Sequence, residues 1–571
     1  MSKDSPFDAA APVLVPMPAE RPYTYAVPPG MRVVPGSIVR VPLGPRQVAG
    51  IVWDGAVENI DAKKLRPIEQ VFDCPPILEP MRRFVDWVAQ YTLSPPGMVA
   101  RMLLRAPEAF DPEPWIEGLQ RTQAEPDRMT SARARVLDTA EGGLAWTRSG
   151  LAHAAGVSST VIDGLKAQGV FETVMIPPRP VVAAPDPTYA LPDLMPDQQT
   201  AADLLRAGIA TGEFGVTLLD GVTGSGKTEV YLEAVAAALA RDPEGQVLVM
   251  LPEIALTQAV IGRFEARFGV KPAEWHSDIA PPVRRKTWDA VAAGRARIVV
   301  GARSSLFLPF RRLSLIVVDE EHDGSYKQDE GFIYQARDLS VMRGKIEGAG
   351  VILASATPSL ETLRNAETGR YRWLRLNARH GEALLPDISL IDLKATPPEP
   401  GRWLSPPLVR AMEETLAAGE QTLLFLNRRG YAPLVLCKAC GEKLTSPDTD
   451  SWLVEHRYTG RLVCHLTGFS MPKPDRCPHC GAKDSLTSIG PGVERVEEEA
   501  RVLFPQARIA IFSSDTVWDA GQARAQVEAM ADGAIDILVA TQAAAKGHNF
   551  PKLTLVGVVD ADLGLRGGDL R

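Results

Sequence analysis

An octapeptide of sequence GVTGSGKT begins at Gly221, after the apolar run VTLLD and before the helix-favouring run EVYLEAVAAALA. This strand–loop–helix order is typical of a phosphate-binding loop, in which Gly221, Gly224 and Gly226 let backbone N–H groups approach phosphates at a helix N-terminus. We expect Lys227 to reach the terminal phosphates of ATP and Thr228 to bind Mg²⁺. A chance match without nucleotide binding is the alternative, and the surrounding pattern disfavours it.

A second group of chemical side chains ends the apolar segment LSLIVVDEEHD, which places Asp319 and Glu320 after a strand. Parallel α/β sheets bind ligands beyond the carboxyl ends of their strands. We predict that Asp319 holds Mg²⁺ through water and that Glu320 orients the water that attacks ATP. Alone, acidic residues after a strand more often form an ordinary solvated loop, but the phosphate loop upstream favours the catalytic interpretation.

Five of the six cysteines lie close together in the sequence, and Cys74 is alone. Cys437 and Cys440 form one C-x₂-C pair, and Cys477 and Cys480 form another. Four thiolates at this spacing suit tetrahedral Zn²⁺, so the two pairs predict one zinc site. Unliganded thiols are the alternative. The clustering indicates a metal module rather than a disulfide framework.

The elements that must position these groups change in character along the chain. Short β-branched runs such as SIVRVPL and VAGIVW, separated by proline and glycine, predict an N-terminal β-rich domain, and ILEPMRRFVDWVAQY predicts a helix after it. Two short helices, a turn at Gly156, a further helix from Ser158 and a final strand fit a winged helix, with a small helical spacer as the alternative.

From about residue 190 onward, apolar strands alternate with helical stretches, which predicts parallel α/β sheets. The first set of strands is VTLLD, QVLVML, ARIVVG, LSLIVVD and GVILAS, and the second set is TLLFLN, ARIAIF, DILVAT and LTLVGVVD. Two such sets in series predict two α/β lobes.

Composition limits the class of protein. The chain has 571 residues, of which 45% are hydrophobic and 23% charged, as in a folded protein of several domains. Its net charge of −8 gives no support to a uniformly basic nucleic-acid surface, although a local basic channel can lie on an acidic protein. No apolar run is long enough to span a bilayer, and the N-terminus lacks the order of a secretion signal, so we expect a cytoplasmic protein.

The order and spacing of the motifs resemble superfamily-two helicases. Gln198 in LMPDQ resembles the glutamine motif that reads adenine, and Ser355 begins an SAT tripeptide that resembles the motif coupling hydrolysis to DNA movement. More closely, the chain resembles the PriA family of DNA helicases. The segments that carry this resemblance include DGVTGSGKTEVYL, LPEIALT, GARSSLF, VDEEHDGSYKQ, LFLNRRGYAP, GPGVERVEEE and AKGHNFPKLTLVGVVDADLGL.

This resemblance implies two RecA-like lobes in an ATP-dependent 3′-to-5′ DNA helicase that recognises stalled or collapsed forks and initiates primosome assembly. The implied partners of this expected monomer are forked and single-stranded DNA, single-strand DNA-binding protein and other primosome proteins, without a membrane. The predicted domains are a β-rich 3′-DNA-binding domain (1–108), a winged helix (109–180), an ATP-binding lobe (181–397), and a second lobe (398–571) with a zinc-binding insertion (437–481).

A segment rich in rings and cations, HDGSYKQDEGFIYQARD, lies between the acidic and SAT motifs. Such a loop can stack bases and hold backbone phosphates, and the resemblance implies that it links single-strand binding to hydrolysis. A loop packed on its own lobe is the alternative. The predicted DNA-coupling residues are Arg303, His322, Tyr326, Lys327, Tyr334 and Arg337.

The cysteine module departs from the family, whose pattern has eight cysteines for two zincs. Ser446, Thr449 and Thr467 stand where cysteines are expected, and Cys464 alone remains of the second site. Hydroxyls are poor Zn²⁺ ligands beside thiolates, so we expect this second site to be lost. Asp448 or His465 could supply a replacement ligand, but we expect no such rescue.

The chain ends at Arg571, before the arginine motif that the family places after ADLGL. That arginine faces the γ-phosphate, and such a residue contributes roughly 10³–10⁵ in rate. We therefore expect slow ATP hydrolysis from a truncated chain. An inactive fork-binding protein is the competing hypothesis, and a nuclease-associated motor subunit is a distant third.

Overall fold

Two units make up the fold, one from residues 1–250 with 262–378 and one from residues 251–261 with 379–571. None of the helices that the structure describes is long and apolar enough to cross a membrane. This computed structural model describes residues 10–571 except 56, 58–64, 105–109, 111–114, 177–181, 253–257, 330, 378–385, 400, 427–433, 438, 450–451, 457–460, 465–466, 490–491, 514–519, 542–549, 560 and 562–571.

A five-stranded antiparallel sheet of order β2-β1-β4-β3-β5 forms the N-terminal domain. Its β-branched side chains, among them Val39 and Val41, are buried. Helix α1 has a proline in its first turn and ends where Leu93 adopts a left-handed φ of 53°. The elements are β1 (Ala10–Leu14), β2 (Tyr23–Ala26), β3 (Ile38–Leu43), β4 (Arg46–Val52), β5 (Gln70–Val71), α1 (Glu79–Thr92) and α2 (Pro96–Ala100).

Three short helices and a two-stranded antiparallel ribbon follow, and the winged helix expected here stays a prediction. Thr130 and Thr147 cap the first two helices, because each side-chain oxygen accepts a hydrogen bond from a backbone N–H of the first turn. The first ribbon strand was not predicted from the sequence. The elements are β6 (Ile116–Arg121), α3 (Ser131–Thr139), α4 (Arg148–Ala154), α5 (Ser159–Ala167) and β7 (Phe171–Ile176).

The first lobe is built on a seven-stranded parallel sheet of order β10-β11-β9-β12-β15-β8-β16. Its central strands are buried along their length, as expected for a parallel sheet covered by helices. The strands are β8 (Val216–Gly221), β9 (Gln246–Met250), β10 (Ala273–Trp275), β11 (Ile298–Gly301), β12 (Leu313–Asp319), β15 (Gly350–Ser355) and β16 (Arg372–Leu376), with a small hairpin of β13 (Lys327–Gln328) and β14 (Tyr334–Gln335). The helices are α6 (Pro196–Ala210), α7 (Lys227–Arg241), α8 (Gln258–Phe268), α9 (Pro281–Ala292), α10 (Ala336–Glu347) and α11 (Leu360–Glu367).

The N-terminal domain packs directly on this lobe. Phe84 of α1 lies 5.7 Å from Phe307 between ring centroids. Trp288 of α9 donates a hydrogen bond from Nε1 to the carbonyl of Leu103 at 3.0 Å. These contacts merge the two hydrophobic cores into one.

The second unit contains a four-stranded parallel sheet of order β23-β24-β17-β25. The cysteine module lies between the first strand of this sheet along the chain, β17 (Gln421–Phe425), and helix α13 (Val493–Leu503). It consists of small antiparallel sheets. The lobe elements are α12 (Pro406–Ala417), β17 (Gln421–Phe425), α13 (Val493–Leu503), β23 (Ile509–Phe512), α14 (Ala520–Ala531), β24 (Ile537–Ala540) and β25 (Leu553–Val558). The module strands are β18 (Leu434–Cys437), β19 (Val454–His456), β20 (Arg461–Val463), β21 (Ser470–Pro472) and β22 (Leu486–Ile489).

Candidate active site and metal centre

The phosphate loop joins β8 to α7 with backbone geometry that requires glycine. Gly224 and Gly226 both have φ of 79°, in the left-handed region that side chains disfavour. Gly226 is also crowded, because a Cβ built there would lie 2.3 Å from Nε2 of Gln198. The last residue of β8, Gly221, faces a similar restriction, since its Cβ would lie 2.5 Å from Oγ of Ser225. The glycines are therefore fixed by local geometry.

Lys227 is the first residue of α7, and its side chain is buried in the loop. Its ammonium donates a hydrogen bond to the carbonyl of Gly221 at 2.8 Å. The cation thus lies at the N-terminal end of a 15-residue helix, where the helix dipole adds positive potential. This arrangement suits an anionic ligand of phosphate type.

Tyr231, one turn along α7, connects the phosphate loop with the acidic motif. Its hydroxyl donates to Oδ2 of Asp319 at 3.1 Å. A hydrogen bond between Thr228 and Tyr231 also lowers the pKa of this phenol, although burial and the charge of Asp319 hold that pKa well above its ordinary value. The two predicted Mg²⁺ ligands, Thr228 and Asp319, therefore share a neighbour and lie at one end of the sheet.

Asp319 has an unusual protonation equilibrium. Burial and the charge of Glu320 raise its pKa from 3.8 to about 6, against the opposing influence of Tyr231 and Lys227. A bound Mg²⁺ would favour the ionised carboxylate. Glu320 itself has a left-handed φ of 48°, so the backbone turns sharply where the strand ends. Such a strained residue at a strand end is common at catalytic sites.

Gln198 links α6 to the phosphate loop. Its Oε1 accepts from the backbone N–H of Met195 at 3.0 Å, and its Nε2 donates to the carbonyl of Ser225 at 2.8 Å. The amide is thus engaged at both ends by backbone groups. It fixes the approach of α6 to the loop, and its predicted contact with adenine stays a prediction.

The acidic motif contacts the SAT motif through His322. Nδ1 of His322 lies 2.8 Å from Oγ of Ser355, and the backbone N–H of Thr357 donates to the same hydroxyl at 3.0 Å. Oε2 of Glu320 lies 3.6 Å from Nδ1 of the same histidine. The two motifs that the sequence placed in order therefore touch in space.

Glu321 is a buried residue that the sequence analysis missed. Its side chain is inaccessible to solvent and pairs with Nη1 of Arg337 at 3.3 Å. It also accepts three hydrogen bonds, from the backbone N–H and hydroxyl of Ser359 and from the hydroxyl of Thr362. The second glutamate of DEEH could have indicated this role from the sequence. One glutamate suffices to orient water, so the other must do something else.

The ring-rich loop between these motifs packs inward. Tyr326, Phe332 and Tyr334 are all buried, and Phe332 stacks on Tyr334 with a centroid separation of 4.7 Å. In this structure these three rings pack on their own lobe, as in the alternative given for this loop in the sequence analysis. Lys327 is half exposed and its ammonium lies 3.2 Å from Asp329, so it remains accessible to a phosphate.

Arg303 stabilises the ring-rich loop, which belongs to the same lobe, through hydrogen bonds to its backbone. Its Nη1 donates to the carbonyls of Ser325 and Lys327, at 3.1 Å and 2.7 Å. Arg337 likewise contacts protein groups, with Nε 2.8 Å from Asp338. Both arginines thus hold the loop in place, and the proposed DNA contacts of the whole set stay predictions.

The four predicted zinc ligands converge. The sulfur atoms of Cys437, Cys440, Cys477 and Cys480 all lie within 4.8 Å of one another, with close pairs at 3.6 Å and 3.8 Å. Zinc–thiolate bonds of ~2.3 Å in a tetrahedron would separate sulfurs by ~3.8 Å, so the geometry fits this metal.

Electrostatics in this cluster also favours a cation. A hydrogen bond with Ser485 is the main cause that lowers the pKa of Cys437 to about 6. For Cys440, the backbone N–H of Glu442 lowers the pKa, but burial and the neighbouring thiols together raise it to about 12. One thiolate thus opposes ionisation of another, and a divalent cation would relieve that repulsion.

A third loop of the module repeats this backbone without a second thiol. The N–H of Gly468 donates to the carbonyl of Cys464 at 2.8 Å, as Gly441 does to Cys437 and Gly481 to Cys477. Here Thr467 occupies the position of the second cysteine. One backbone hydrogen bond of the two C-x₂-C loops is therefore also present here.

The side chains around this third loop do not fit a metal. The Cys464 sulfur is fully buried among apolar residues, and the hydroxyl of Thr449 lies 4.0 Å from it. Ser446 is buried nearby, and Asp448 contacts the Ser446 hydroxyl through its backbone N–H. His465, considered above as a possible replacement ligand, lies outside the described residues. Hydroxyls and one apolar thiol make a poor zinc site.

Two family models match the chain. A 3′DNA-binding domain (3′BD) model matches residues 12–105, which correspond to the N-terminal antiparallel domain. A DEAD/DEAH box helicase model matches residues 195–366, which contain the phosphate loop and the acidic and SAT motifs. One match overlaps the predicted β-rich domain and the other overlaps the predicted ATP-binding lobe.

Relatives match over nearly the whole chain. The replication restart protein PriA of Rickettsia conorii is 37% identical over 98% of this chain and 76% of its own length. That of Chlamydia pneumoniae is 33% identical over 100% of this chain and 78% of its own length. Among solved structures, RecG bound to a three-way DNA junction aligns at a TM-score of 0.39 and 14% identity, covering 65% of this chain and 39% of that one. Identity and coverage at this level establish that the chain belongs to the PriA family of replication restart helicases.

Proposed function

We propose that this protein is an ATP-dependent DNA helicase that moves 3′ to 5′ and recognises stalled or collapsed replication forks. The observation that carries the proposal is one continuous path of contacts. Tyr231, one turn along α7 from Lys227, donates to Asp319, which also accepts from the backbone N–H of Glu320. The Glu320 carboxylate then leads through His322 to Ser355. A nucleotide at the loop would therefore touch a path that leads into the rest of the lobe.

The roles of the residues follow from their positions. Lys227 and the N-terminal turn of α7 bind and orient the phosphates of ATP. Asp319 and Thr228 would hold Mg²⁺, which when bound supplies positive charge beside those phosphates. Glu320 accepts a proton from the attacking water and orients it, which its place at the strand end permits. Partial burial of Asp319 strengthens these interactions relative to those of a fully solvated carboxylate.

Fork recognition would use the domains that precede the motor. The match of residues 12–105 to a 3′DNA-binding domain supports capture of a DNA 3′ end there. The three helices and ribbon that follow would bind a duplex arm. As the family resemblance of the sequence implies, the protein would then recruit single-strand DNA-binding protein and primosome proteins and act as a monomer.

The cysteine module would bind one structural Zn²⁺ through Cys437, Cys440, Cys477 and Cys480. The sulfur distances and the opposed protonation of neighbouring thiols support this assignment. A closed set of four thiolates leaves no open position for substrate, so the metal would stabilise the fold rather than perform chemistry.

An unwinding assay tests the proposal. Partial duplexes with a 3′ tail should be unwound in the presence of ATP, and duplexes with a 5′ tail should not. Glu320→Gln should retain DNA and nucleotide binding but lose strand displacement, because the water is no longer oriented. Unwinding from 5′ tails would contradict the polarity. The slow ATP hydrolysis expected above stays a prediction that the same reactions measure, and fork binding without any turnover would favour the competing fork-binding hypothesis.

A further inference from the structure

We propose that Glu321 is a positioning residue that couples DNA binding to the ATP site, a role that rests on the proposed helicase function. Glu321 lies between Glu320, which orients water, and His322, which contacts the SAT motif. Its carboxylate contacts two parts of the lobe, and its backbone N–H contacts a third. It therefore connects the groups that act on ATP with the loop predicted to meet DNA.

The first connection closes the ring-rich loop at its base. Glu321 immediately precedes the ring-rich segment, and Arg337 lies near the end of that segment, at the second position of α10. Their ion pair, 3.3 Å between Nη1 and Oε2, joins the two ends of the loop. Both side chains are almost fully buried, at 0% and 8% exposure, so solvent screens the pair little. A displacement of the loop by DNA would act directly on this pair.

The second connection reaches the start of α11. Ser359 is the N-cap of that helix, and its backbone N–H donates to Oε1 of Glu321 at 2.6 Å. The hydroxyls of Ser359 and Thr362 each donate to Oε2 at 3.0 Å. Because Ser359 follows the SAT tripeptide by two residues, this contact fixes the end of the coupling motif.

The third connection is through the backbone at the strand ends. The N–H of Glu321 donates to the carbonyl of Ala354 at 3.0 Å, which joins the turn after β12 to the last residues of β15. Glu321 therefore has no freedom to move without moving the turn that carries Glu320. A buried charge is costly unless several partners satisfy it, so this carboxylate is tightly constrained.

Glu321→Gln separates coupling from folding. The amide oxygen can still accept from the N–H of Ser359, and its NH₂ group can donate to the hydroxyls of Ser359 and Thr362 once they rotate. What disappears is the negative charge opposite Arg337, whose remaining partners Asp338 and Glu361 keep it from becoming an isolated buried charge. The variant should therefore fold, and its ion pair across the loop is broken.

A matched control is Glu233→Gln in α7. Glu233 is equally buried, and it pairs with Arg267 at 2.6 Å and with Arg206. This pair does not touch the ring-rich loop. Both substitutions remove a buried charge from the same lobe, so a merely structural role for Glu321 predicts similar effects of the two.

The experiment measures the dissociation constant of a fluorescent ATP analogue with and without a single-stranded oligonucleotide. The ratio of the two constants reports coupling without requiring turnover, since linkage is reciprocal. We expect Glu321→Gln to reduce this ratio by about tenfold, within the usual range of coupling energies, and Glu233→Gln to leave it unchanged. The affinity for the analogue without DNA should change less than about twofold in Glu321→Gln.

Two further measurements decide the interpretation. Glu321→Gln combined with Arg337→Gln should couple no worse than either single variant, because one ion pair is lost in each case. An unchanged ratio in Glu321→Gln, or an equal loss in Glu233→Gln, would overturn the coupling role while leaving the helicase proposal intact. If the unmodified chain shows neither coupling nor DNA-stimulated hydrolysis, the proposed function itself fails.

Discussion

The ATP site and the cysteine module organise their polar groups in opposite ways. In the first lobe, the functional side chains already have protein partners, as Lys227 has the carbonyl of Gly221 and Asp319 has Tyr231. In the cysteine module, the four thiols chiefly face one another. The first site is held in shape by the fold, whereas the second needs a cation to compensate its charges.

This difference separates ligand binding from folding. Loss of nucleotide should leave the first lobe intact, because a seven-stranded sheet supports its site. Loss of zinc should unfold the cysteine module, whose sheets have only two or three strands. Small sheets of this size are not independently stable in water. The predictions below test this contrast, from the largest expected effect to the smallest.

The largest effect should follow from removing one zinc ligand. Cys437→Ser should reduce bound zinc from about one per chain to none and unfold the module, because structural zinc contributes about 10 kcal/mol or more to small domains. Cys464→Ser should leave the zinc content unchanged, since this thiol lies in an apolar core. Metal analysis and circular dichroism of the two variants give the comparison. Equal zinc loss in both would mean that Cys464 also takes part in metal binding.

The third loop of the module offers a converse test. The combined substitutions Ser446→Cys, Thr449→Cys and Thr467→Cys should raise the zinc content from about one to about two per chain. The reason is that one backbone hydrogen bond of the two C-x₂-C loops is also present at Gly468. If the unmodified chain already holds two tightly bound zincs, a residue other than cysteine completes the second site.

Lys227→Ala should produce the next largest effect. Removing the buried ammonium deletes the main charge that faces the phosphates, so affinity for a fluorescent ATP analogue should fall by about 10²–10³. Lys271→Ala, an exposed lysine of the same lobe, serves as the control and should bind normally. The thermal unfolding midpoint should change little in either variant, because the fold holds this site. Unchanged binding in Lys227→Ala would show that the phosphate loop is wrongly assigned.

Asp319→Asn measures how much the ionised Asp319 carboxylate lowers the free energy of unfolding when no Mg²⁺ is bound. The folded-state pKa of about 6 lies above the ordinary 3.8, so folding disfavours the ionised form. This cost is complete above pH 6, shrinks as the pH falls towards 4, and vanishes below both pKa values. In Mg²⁺-free buffer, Asp319→Asn should therefore raise stability by about 2 kcal/mol at pH 8 and by much less at pH 4.5.

Chemical unfolding at the two pH values measures this difference. Asp203→Asn is a control of opposite sign, because hydrogen bonds from Gln199 and Arg206 lower the pKa of the Asp203 carboxyl. That substitution should not stabilise the protein at pH 8. A gain for Asp319→Asn that is the same at both pH values would contradict a raised pKa in the folded state.

Sequence patterns predicted the central strands of both lobes because those strands are continuous apolar runs. They missed β10 and β16, which lie at the two edges of the first sheet and are short or alternate polar with apolar residues. Edge strands are covered on fewer sides, so their apolar signal is weaker. The residues that carry chemistry were easier to find than the strands that flank them.

The parts of the candidate site that short motifs define were predicted from the sequence. The parts that depend on contacts between residues far apart in the sequence were missed. Glycine spacing located the phosphate loop, but nothing local indicates that Phe332 and Tyr334 turn inward around Phe307. Composition shows that a loop carries rings and cations without showing which face they take. Glu321 was missed for the same reason, since its partners Ser359 and Thr362 lie well downstream in the sequence.

The smallest expected effect concerns a single hydroxyl. Tyr231→Phe removes the donor that lies 3.1 Å from Oδ2 of Asp319 and keeps the buried ring. The lost hydrogen bond should raise the pKa of Asp319 further above its ordinary value, since that bond opposes the rise. Affinity for Mg²⁺ with the ATP analogue should weaken by about fivefold, as expected for about 1 kcal/mol.

Tyr326→Phe is the matched control, because its hydroxyl donates to the backbone carbonyl of Asp319 at 2.6 Å rather than to the carboxylate. The two variants remove the same group from the same neighbourhood.

If the Tyr231 hydroxyl keeps the Asp319 carboxylate ionised, only Tyr231→Phe should shift the pH at which Mg²⁺-dependent binding is lost, and the shift should be upward. A titration of analogue binding between pH 5 and pH 8 gives the midpoints. Equal midpoints for both variants would mean that the position of the strand end, and not the phenol, sets the protonation of Asp319. The ATP site would then resemble the cysteine module in relying on its cation.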